Sequence, residues 1–418
     1  MQKKRKDKAM PGIETSAQLE NLKKGLAPGR GELLREISCG VDFLTDFLAA
    51  HYLERYIPEG GSKIKFVTGH KGAGKTHLLQ LLEETAEEKG FLTVSFSADE
   101  VWLHDFREIY LAVLKRCDLP TILHGCADSI ISEMGYDPNA IPKGKTLIDY
   151  LAERNEADPL SKSTIRAALR QRFTQNPLMD NCFAACCALL VGDILGHPVL
   201  EASERDMILA FLYGDKSVRP SQMRAVGITP SKVTKYNARY LLRSLAELVH
   251  MSGFSGMLIA VDDLERLMNR SAEEVIRYTK MKREDAYESI RQLIDDIDNM
   301  HYLLFILSFD RELIDHESYG LKSYQALWMR IQNEIVSKRM NRFGDILDLD
   351  RLADQVYTPE ILREMSEKLA DVLASNGIPA AAISEADAEE LEEAALYGSL
   401  GLPYLVNRKV LTGGADHV

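Results

Sequence analysis

The residues with the most definite chemistry in this chain form one stretch of eight: Gly69-His70-Lys71-Gly72-Ala73-Gly74-Lys75-Thr76. The stretch follows the pattern G-x-x-x-x-G-K-[ST] of a phosphate-binding loop. Glycine lets backbone N–H groups turn inward and approach a polyphosphate closely, which a Cβ would obstruct. The Lys75 ammonium suits the β- and γ-phosphates, and the Thr76 hydroxyl suits Mg²⁺. We therefore predict that all eight residues bind the phosphates of a nucleoside triphosphate.

The segments on either side of this loop support the prediction. Residues 64–68 (IKFVT) are typical of a short strand, and residues 76–82 (THLLQLL) open an amphipathic helix. A phosphate would then lie at a helix N-terminus, where free N–H groups and the helix dipole favour an anion. The alternative is an ordinary glycine-rich turn between a strand and a helix, which this context disfavours.

Acidic residues follow a second apolar stretch, residues 257–261 (MLIAV). A buried strand here would deliver Asp262 to the ligand-binding edge of a parallel sheet, where its carboxylate suits Mg²⁺. Hydrolysis also needs a carboxylate that orients water, and the candidates are Asp263 and Glu265. Many ATPases with this arrangement of a phosphate loop and a strand-end aspartate carry glutamate at the next position. Asp263 is one methylene shorter than that glutamate. We therefore expect hydrolysis to be slow or dependent on a partner, and the choice between the two stays open.

Two further residues are candidates for the reaction itself. Ser308 follows the predicted strand 302–307, so it is placed either to touch the γ-phosphate or water, or simply to cap a strand end. Arg330, with Arg339 and Arg342, lies farther along the chain. An arginine finger supplied in trans would require an oligomer with the site at a subunit boundary. A surface ion pair is the alternative for each of these arginines.

Composition and charge limit the class of protein. The chain has 418 residues, 45% of them hydrophobic and 27% charged, which is typical of a globular protein. We expect a cytoplasmic protein, because no apolar run approaches membrane-spanning length and no apolar segment follows the charged N-terminus. Six cysteines without CxxC pairs are expected to be reduced and buried. A net charge of −12 argues against a protein that binds DNA with its whole surface. The basic residues 3–8 form one candidate for a local DNA contact, or else a disordered solubilising end.

The elements that must position these residues alternate between strand and helix. Strands are predicted at residues 64–68, 91–96, 257–261, 302–307 and 345–349, which favours an α/β fold with a buried parallel sheet. Residues 105–250 are almost wholly helical in pattern and would form an insertion. Helices are also predicted within 31–56 and beyond 350, starting at the caps Thr358 and Ser384. Residues 1–30 are expected to form a flexible basic lead-in.

Several motifs, taken in order, resemble the AAA+-type ATP-binding proteins of bacteriophage-exclusion (BREX) systems. They are the phosphate loop, residues 102–106 (WLHDF), 211–215 (FLYGD), 253–263 (GFSGMLIAVDD) and 320–330 (GLKSYQALWMR). The resemblance implies a P-loop NTPase core of the AAA+ type (residues 31–104 and 251–350), a helical insertion (105–250) and a C-terminal helical lid (351–418). It further implies ATP and Mg²⁺ as ligands, with Lys75 and Thr76 at the phosphates, Asp262 at Mg²⁺ and Arg330 as a finger. Its lid would carry an arginine near residues 403–408, where Arg408 stands.

The resemblance leaves three interpretations of function. The first is an ATPase that couples its nucleotide state to DNA or to other defence-system proteins, as a homo-oligomer. The second is an ATP-gated scaffold with negligible turnover. The third is a DNA-loading or target-selecting ATPase of the transposition or replication type, which needs a basic surface that faces double-stranded DNA.

Overall fold

A parallel sheet of five strands forms the centre of the structure, a computed structural model that describes residues 11–156, 159–268, 276–336 and 341–415. The sheet order is β2-β3-β4-β1-β5, and every neighbouring pair is parallel. The strands are β1 (Ser62–Gly69), β2 (Phe91–Ser97), β3 (Gly256–Asp262), β4 (Leu303–Asp310) and β5 (Ile346–Asp348). All five predicted strands are confirmed, and the α/β fold is as expected. β4 extends beyond residue 307, its predicted end, because Ser308, Phe309 and Asp310 continue the pairing with β1.

The register of the sheet brings the chemical residues to one edge. Gly69 at the end of β1 lies opposite Asp310 at the end of β4, and Val261 of β3 lies opposite Leu307 of β4. The central strands β3 and β4 are almost continuous apolar runs because helices cover both faces of the sheet. Ligands of such sheets bind in the crevice at the carboxyl ends of the strands. The phosphate loop and Asp262 therefore meet at that edge.

The N-terminal part of the chain is folded, contrary to the predicted flexible lead-in. Residues 11–23 form a helix, and the apolar side chain of Leu22 is buried against the C-terminal helices. This packing explains the difference, since burial of Leu22 orders a segment that is polar overall. Residues 1–10 lie outside the described residues. The helices before β2 are α1 (Pro11–Lys23), α2 (Glu32–Glu36), α3 (Asp42–Leu48, continued by the π-helical Ala49–Tyr56) and α4 (Lys75–Glu88).

The chain between β2 and β3 is helical, as the sequence pattern predicts. Its helices pack around one apolar core that continues under the sheet. All six cysteines are buried, so the prediction of buried cysteines is confirmed. The helices are α5 (Phe106–Arg116), α6 (Leu119–Glu133), α7 (Leu147–Glu153), α8 (Pro159–Leu169), α9 (Asn181–Leu195), α10 (Ala202–Leu212), α11 (Pro220–Ala225) and α12 (Ala238–Met251).

Helices also follow β3, β4 and β5. The caps predicted at Thr358 and Ser384 are confirmed, because both side chains accept a hydrogen bond from the first helical turn. Within the described part of the chain, none of the helices is both long and apolar enough to cross a lipid bilayer. The helices are α13 (Lys280–Asp296), α14 (Glu312–Asp315), α15 (Gln325–Val336), α16 (Leu349–Val356), α17 (Pro359–Ser375), α18 (Glu385–Tyr397) and α19 (Leu402–Ala415).

Candidate functional site

Lys75 is the first residue of α4, and its side chain points back into the loop that follows β1. Its side chain is only 9% exposed, and its ammonium donates to the Gly69 and His70 carbonyl oxygens at 3.2 and 3.1 Å. The same ammonium forms an ion pair with Asp310. Gly74, just before the helix, has φ +93°, a conformation that side chains other than glycine rarely adopt. The loop is thus closed around the amine that would face a polyphosphate.

Asp262 links the loop to the second acidic stretch. Thr76 donates its hydroxyl to Asp262 Oδ2 at 2.6 Å, and Ser308 donates its hydroxyl to Asp262 Oδ1. Ser308 is fully buried in β4, so its hydroxyl orients the Asp262 carboxylate. The structure therefore directs Ser308 to this carboxylate, and a contact with the γ-phosphate or water stays a prediction.

Asp263 and Glu265 both line the cavity beside the loop, but their carboxylates have different partners. Asp263 has φ +58°, and its Oδ2 accepts from the Ser97 hydroxyl at 2.7 Å. Burial and the neighbouring Asp262 carboxylate raise the pKa of Asp263. Glu265 Oε2 accepts from the Asp310 N–H at 3.0 Å. Burial, with the charge of Asp310, raises the pKa of Glu265 from 4.5 to about 7.

A carboxylate in the first turn of α16, directly after β5, holds the start of the phosphate loop. The His70 N–H donates to both carboxylate oxygens of Asp350 at 3.0 Å, and His70 Nδ1 lies 2.9 Å from Asp350 Oδ2. Arg311, next to Asp310, lies between Asp348 at 2.9 Å and Asp350 at 3.4 Å. Sequence analysis missed Asp310, Arg311 and Asp350. The signal for Asp350 was its place directly after a predicted strand.

The C-terminal helices close over the phosphate loop. The Gly401 N–H donates to the Lys71 carbonyl at 2.9 Å, and the Tyr404 N–H donates to the Gly72 carbonyl at 3.2 Å. A Cβ at Gly401 would lie 2.4 Å from the backbone of Ala73, so only glycine fits this contact. The start of α19 is therefore seated on the backbone of the loop.

A cavity of about 580 Å³ extends from the phosphate loop between the N-terminal segment and the C-terminal helices. Its wall combines polar groups of the phosphate loop and the acidic residues beside it with apolar side chains of the N-terminal segment and the C-terminal helices. Asn407 lies in its wall, 7% exposed, and Oδ1 of this amide has no hydrogen-bond partner among the described residues. Outside the phosphate loop, the wall includes Leu22, Lys24, Gly25, Leu26, Ala27, Pro28, Ile37, Cys39, Val41, Tyr357, Met365, Leu369, Pro403, Tyr404 and Asn407.

Comparison with known proteins identifies one family. The family model described as "BREX system ATP-binding protein BrxC/D" matches residues 12–412, nearly the whole chain. This chain belongs to the BREX system ATP-binding protein BrxC/D family. The match does not distinguish BrxC from BrxD. Neither the curated proteins nor the solved structures contain a match.

Membership of the BrxC/D family makes this an ATP-binding protein of an anti-phage defence system, with other BREX proteins as partners. The resemblance in motif order is thus confirmed at the level of the family. The cavity that starts at the phosphate loop is the candidate ATP site. The wall of this cavity includes five of the eight residues predicted to form the phosphate loop: Lys71, Gly72, Gly74, Lys75 and Thr76.

The arginines predicted to act in trans lie apart from this cavity. Arg330 in α15 forms an ion pair with Asp295 at 2.9 Å and is not part of the cavity wall. Arg342 packs its guanidinium over the Phe47 ring, 4.9 Å from the centroid, and Arg339 lies outside the described residues. Arg408 is exposed on α19, and Asn407 takes the place in the cavity wall. Within one chain, Arg330 therefore has the surface ion pair that was its alternative.

Proposed function

We propose that this protein binds ATP·Mg²⁺ in the cavity and hydrolyses it. The observation that carries the proposal is the contact between Thr76 and Asp262, two residues 186 positions apart in the chain. Their hydroxyl and carboxylate oxygens meet beside the buried ammonium of Lys75. A buried lysine, a threonine hydroxyl and a strand-end aspartate are the protein groups that a P-loop NTPase uses for phosphates and Mg²⁺.

The residues at this edge suit Mg²⁺. When bound, the ion would neutralise charge that develops on the transferred phosphoryl group. Mg²⁺ takes oxygen ligands and keeps several waters, so one or two protein oxygens and the phosphates are sufficient. Thr76 and Asp262 supply such oxygens, and the described residues contain no group of three or more metal-ligating side chains that would hold an ion without the nucleotide.

Glu265 is our candidate for the residue that orients water. Its carboxylate lies at the Asp310 N–H, and Asp310 contacts Lys75, so Glu265 belongs to the γ-phosphate end of the site. The Asp263 carboxylate is engaged by Ser97 at the end of β2. A general base with a pKa near the working pH is well matched to proton transfer.

The base of the nucleotide would occupy the part of the cavity that apolar side chains line. Apolar side chains of the N-terminal segment and of α17 supply the faces against which a purine stacks. Asn407 in the cavity wall would offer its unpartnered Oδ1 to an exocyclic amine, which adenine has at C6, once this buried oxygen turns toward the cavity. The proposal therefore includes a lid function for the C-terminal helices.

A nucleotide-gated scaffold is the second candidate. In the present arrangement Lys75 is engaged by Asp310 and Asp263 by Ser97, which favours slow turnover until a partner binds. The third interpretation, a DNA-loading or target-selecting ATPase, differs from the first in what it delivers rather than in its site.

At the level of the system, we propose a cytoplasmic protein of the BrxD branch, since its motif order resembles BrxD most. It would couple its nucleotide state to double-stranded DNA or to other BREX proteins. Arg330 would act as a finger in a homo-oligomer only if its ion pair with Asp295 opens.

Nucleotide binding and single-turnover hydrolysis of purified protein test the proposal. We expect a fluorescent ATP analogue to bind in the presence of Mg²⁺, and Lys75→Ala to lose most of that affinity. The exposed Lys143→Ala serves as the matched control and keeps it. Binding without any hydrolysis, with Glu265→Gln equal to wild type, would favour the scaffold. Full affinity in Lys75→Ala would refute the proposed site.

A further inference from the structure

One stretch of this acidic chain is basic without interruption. Residues 216–246 contain seven Lys or Arg and no Asp or Glu, although the whole chain has 63 acidic and 51 basic residues. The stretch covers the turn after α10, α11, the connection to α12 and most of α12. A run of one sign in a chain of opposite net charge indicates a surface for a partner of the opposite charge.

The stretch is folded, with its apolar side chains inward and most of its cations outward. Met223 and Ile228 are buried in the core of the helical region. The Ser231 N–H bonds to Cys182 Sγ at 3.4 Å, which ties the connection to α9. The exposed cations are Lys216, Arg219, Arg224, Lys232 and Lys235. No carboxylate of a described residue forms an ion pair with any of these five.

The remaining two cations hold the stretch in place. Arg239 forms an ion pair with Asp296 at 2.6 Å, and Arg243 donates to the Leu178 carbonyl at 3.0 Å. Arg243 also stacks on the Tyr240 ring at 4.0 Å from its centroid. Structural roles are therefore assigned to Arg239 and Arg243, and the five exposed cations are left to face solvent.

We propose that the five exposed cations of residues 216–235 form a docking surface for the phosphate backbone of double-stranded DNA. Phosphates recur closely along a duplex, so an open array of Lys and Arg contacts several at once without an enclosing groove. The inference rests on the proposed function only in naming DNA as the partner that ATP serves. Binding of DNA to this surface does not require the nucleotide site.

Duplex DNA fits the surface better than a single strand does. Single-stranded nucleic acid binds by stacking successive bases on aromatic rings. One face of Tyr240 is already covered by Arg243, and its hydroxyl bonds to the Pro177 carbonyl at 3.5 Å. Tyr236, 80% exposed, has the Lys235 ammonium over its ring, 5.3 Å from the centroid, and one such ring is too little for a run of bases.

The test is fluorescence anisotropy of a labelled 30-base-pair duplex with the full chain at 50 to 200 mM NaCl. Three to five phosphate contacts predict a log–log salt slope of roughly −2.7 to −4.5, which is about a 40- to 500-fold loss of affinity over that range. Lys232→Ala with Lys235→Ala should weaken binding about tenfold or more at 50 mM and reduce the slope by about 2. The matched control is Lys143→Ala with Lys162→Ala, which removes the same charge from exposed lysines elsewhere in the helical region.

Several results would overturn the proposal. Equal loss in the control pair would mean a non-specific charge effect. Tighter binding of a single strand, lost in Tyr236→Leu, would assign the surface to stacking. Self-association at low salt that the lysine pair abolishes would assign the surface to a second copy. Nucleotide affinity is measured on the same variants, and DNA binding on Lys75→Ala, so that failure of the ATP site is distinguished from failure of this surface.

Discussion

At the scale of residues, Asp310 and Glu265 lie at the end of the site that we propose for the γ-phosphate. Asp310 forms an ion pair with the Lys75 ammonium, which the phosphates would otherwise contact. The Glu265 carboxylate accepts a hydrogen bond from the Asp310 N–H. Both lie at the end of a strand or just after one. The chemistry of the site therefore depends on how these two acids respond when a polyanion arrives.

Asp310→Asn is expected to tighten ATP binding, about three- to tenfold. Asp310 competes with the phosphates for Lys75 and repels their negative charge, and asparagine removes both effects while keeping the shape. Titration with a fluorescent ATP analogue measures the change. Asp315→Asn, an exposed aspartate in α14, is the control and should leave the affinity unchanged. Weaker binding in Asp310→Asn would mean that Asp310 positions Lys75 instead of blocking it.

Hydrolysis should rise with pH between about 6 and 8, because Glu265 must be ionised to orient water and its pKa is about 7. Glu265→Gln should reduce the single-turnover rate by about 10²-fold or more and remove this pH dependence. The exposed Glu59→Gln serves as the control. An unchanged profile in Glu265→Gln would transfer the role to Asp263, which the sequence left as the other candidate.

The same carboxyl affects stability with a definite sign. Its pKa is raised from 4.5 in the unfolded chain to about 7 in the folded one, so folding disfavours its ionised form. The resulting destabilisation is absent below pH 4.5, grows as pH rises and is complete above pH 7. At pH 8, Glu265→Gln should therefore have a free energy of unfolding up to about 3 kcal/mol larger than wild type, and it should unfold at a higher temperature. At pH 4.5 the two proteins should melt alike, and a difference there would contradict this origin.

At the scale of elements, the proposed lid contacts the phosphate loop through backbone hydrogen bonds from Gly401 and Tyr404, and Gly401 makes the closest approach. Gly401→Ala would push a Cβ to within 2.4 Å of the Ala73 backbone, so the start of α19 must move off the loop. We expect nucleotide affinity to fall about tenfold or more, measured by the same titration. Gly413→Ala in the same helix is the control, because its Cβ would make an ordinary contact 3.6 Å from Ala381. Equal affinity in both variants would show that the lid does not close the site.

Much of this element framework could be predicted from sequence, and the reasons are local. Apolar runs bounded by glycine or aspartate specify the five strands, and the caps at Thr358 and Ser384 specify their helices. The glycines and Lys75 of the phosphate loop are likewise a local pattern. Asp310 and Asp350 were missed because their importance comes from register and from strand order, which place three strand ends beside one loop. Residues 11–30 were misjudged because their order depends on packing against helices almost 400 residues away.

At the scale of the whole molecule, α12 joins the basic surface to the nucleotide site. It begins beside Lys235 and Tyr236, and a four-residue connection leads from its end into β3, whose last residue is Asp262. α12 also packs against β3, the strand that ends at the proposed Mg²⁺ ligand, so we infer that a change at the basic surface reaches Asp262 through this helix. The basic stretch was missed from sequence, where only residues 3–8 were a candidate for a local DNA contact, because the net charge of −12 conceals a local run of one sign.

DNA should therefore stimulate ATP hydrolysis through this helix. We expect steady-state hydrolysis to rise severalfold with saturating duplex DNA in wild type. The rise should disappear in Lys232→Ala with Lys235→Ala, while hydrolysis without DNA stays at the wild-type rate, because these lysines lie outside the cavity. The control pair Lys143→Ala with Lys162→Ala should keep the stimulation. If the lysine pair loses DNA binding but keeps stimulation at high DNA concentration, the surface only recruits DNA and α12 carries no signal. If wild type binds DNA without any stimulation, coupling requires another BREX protein, and adding candidate partners to the same assay identifies it.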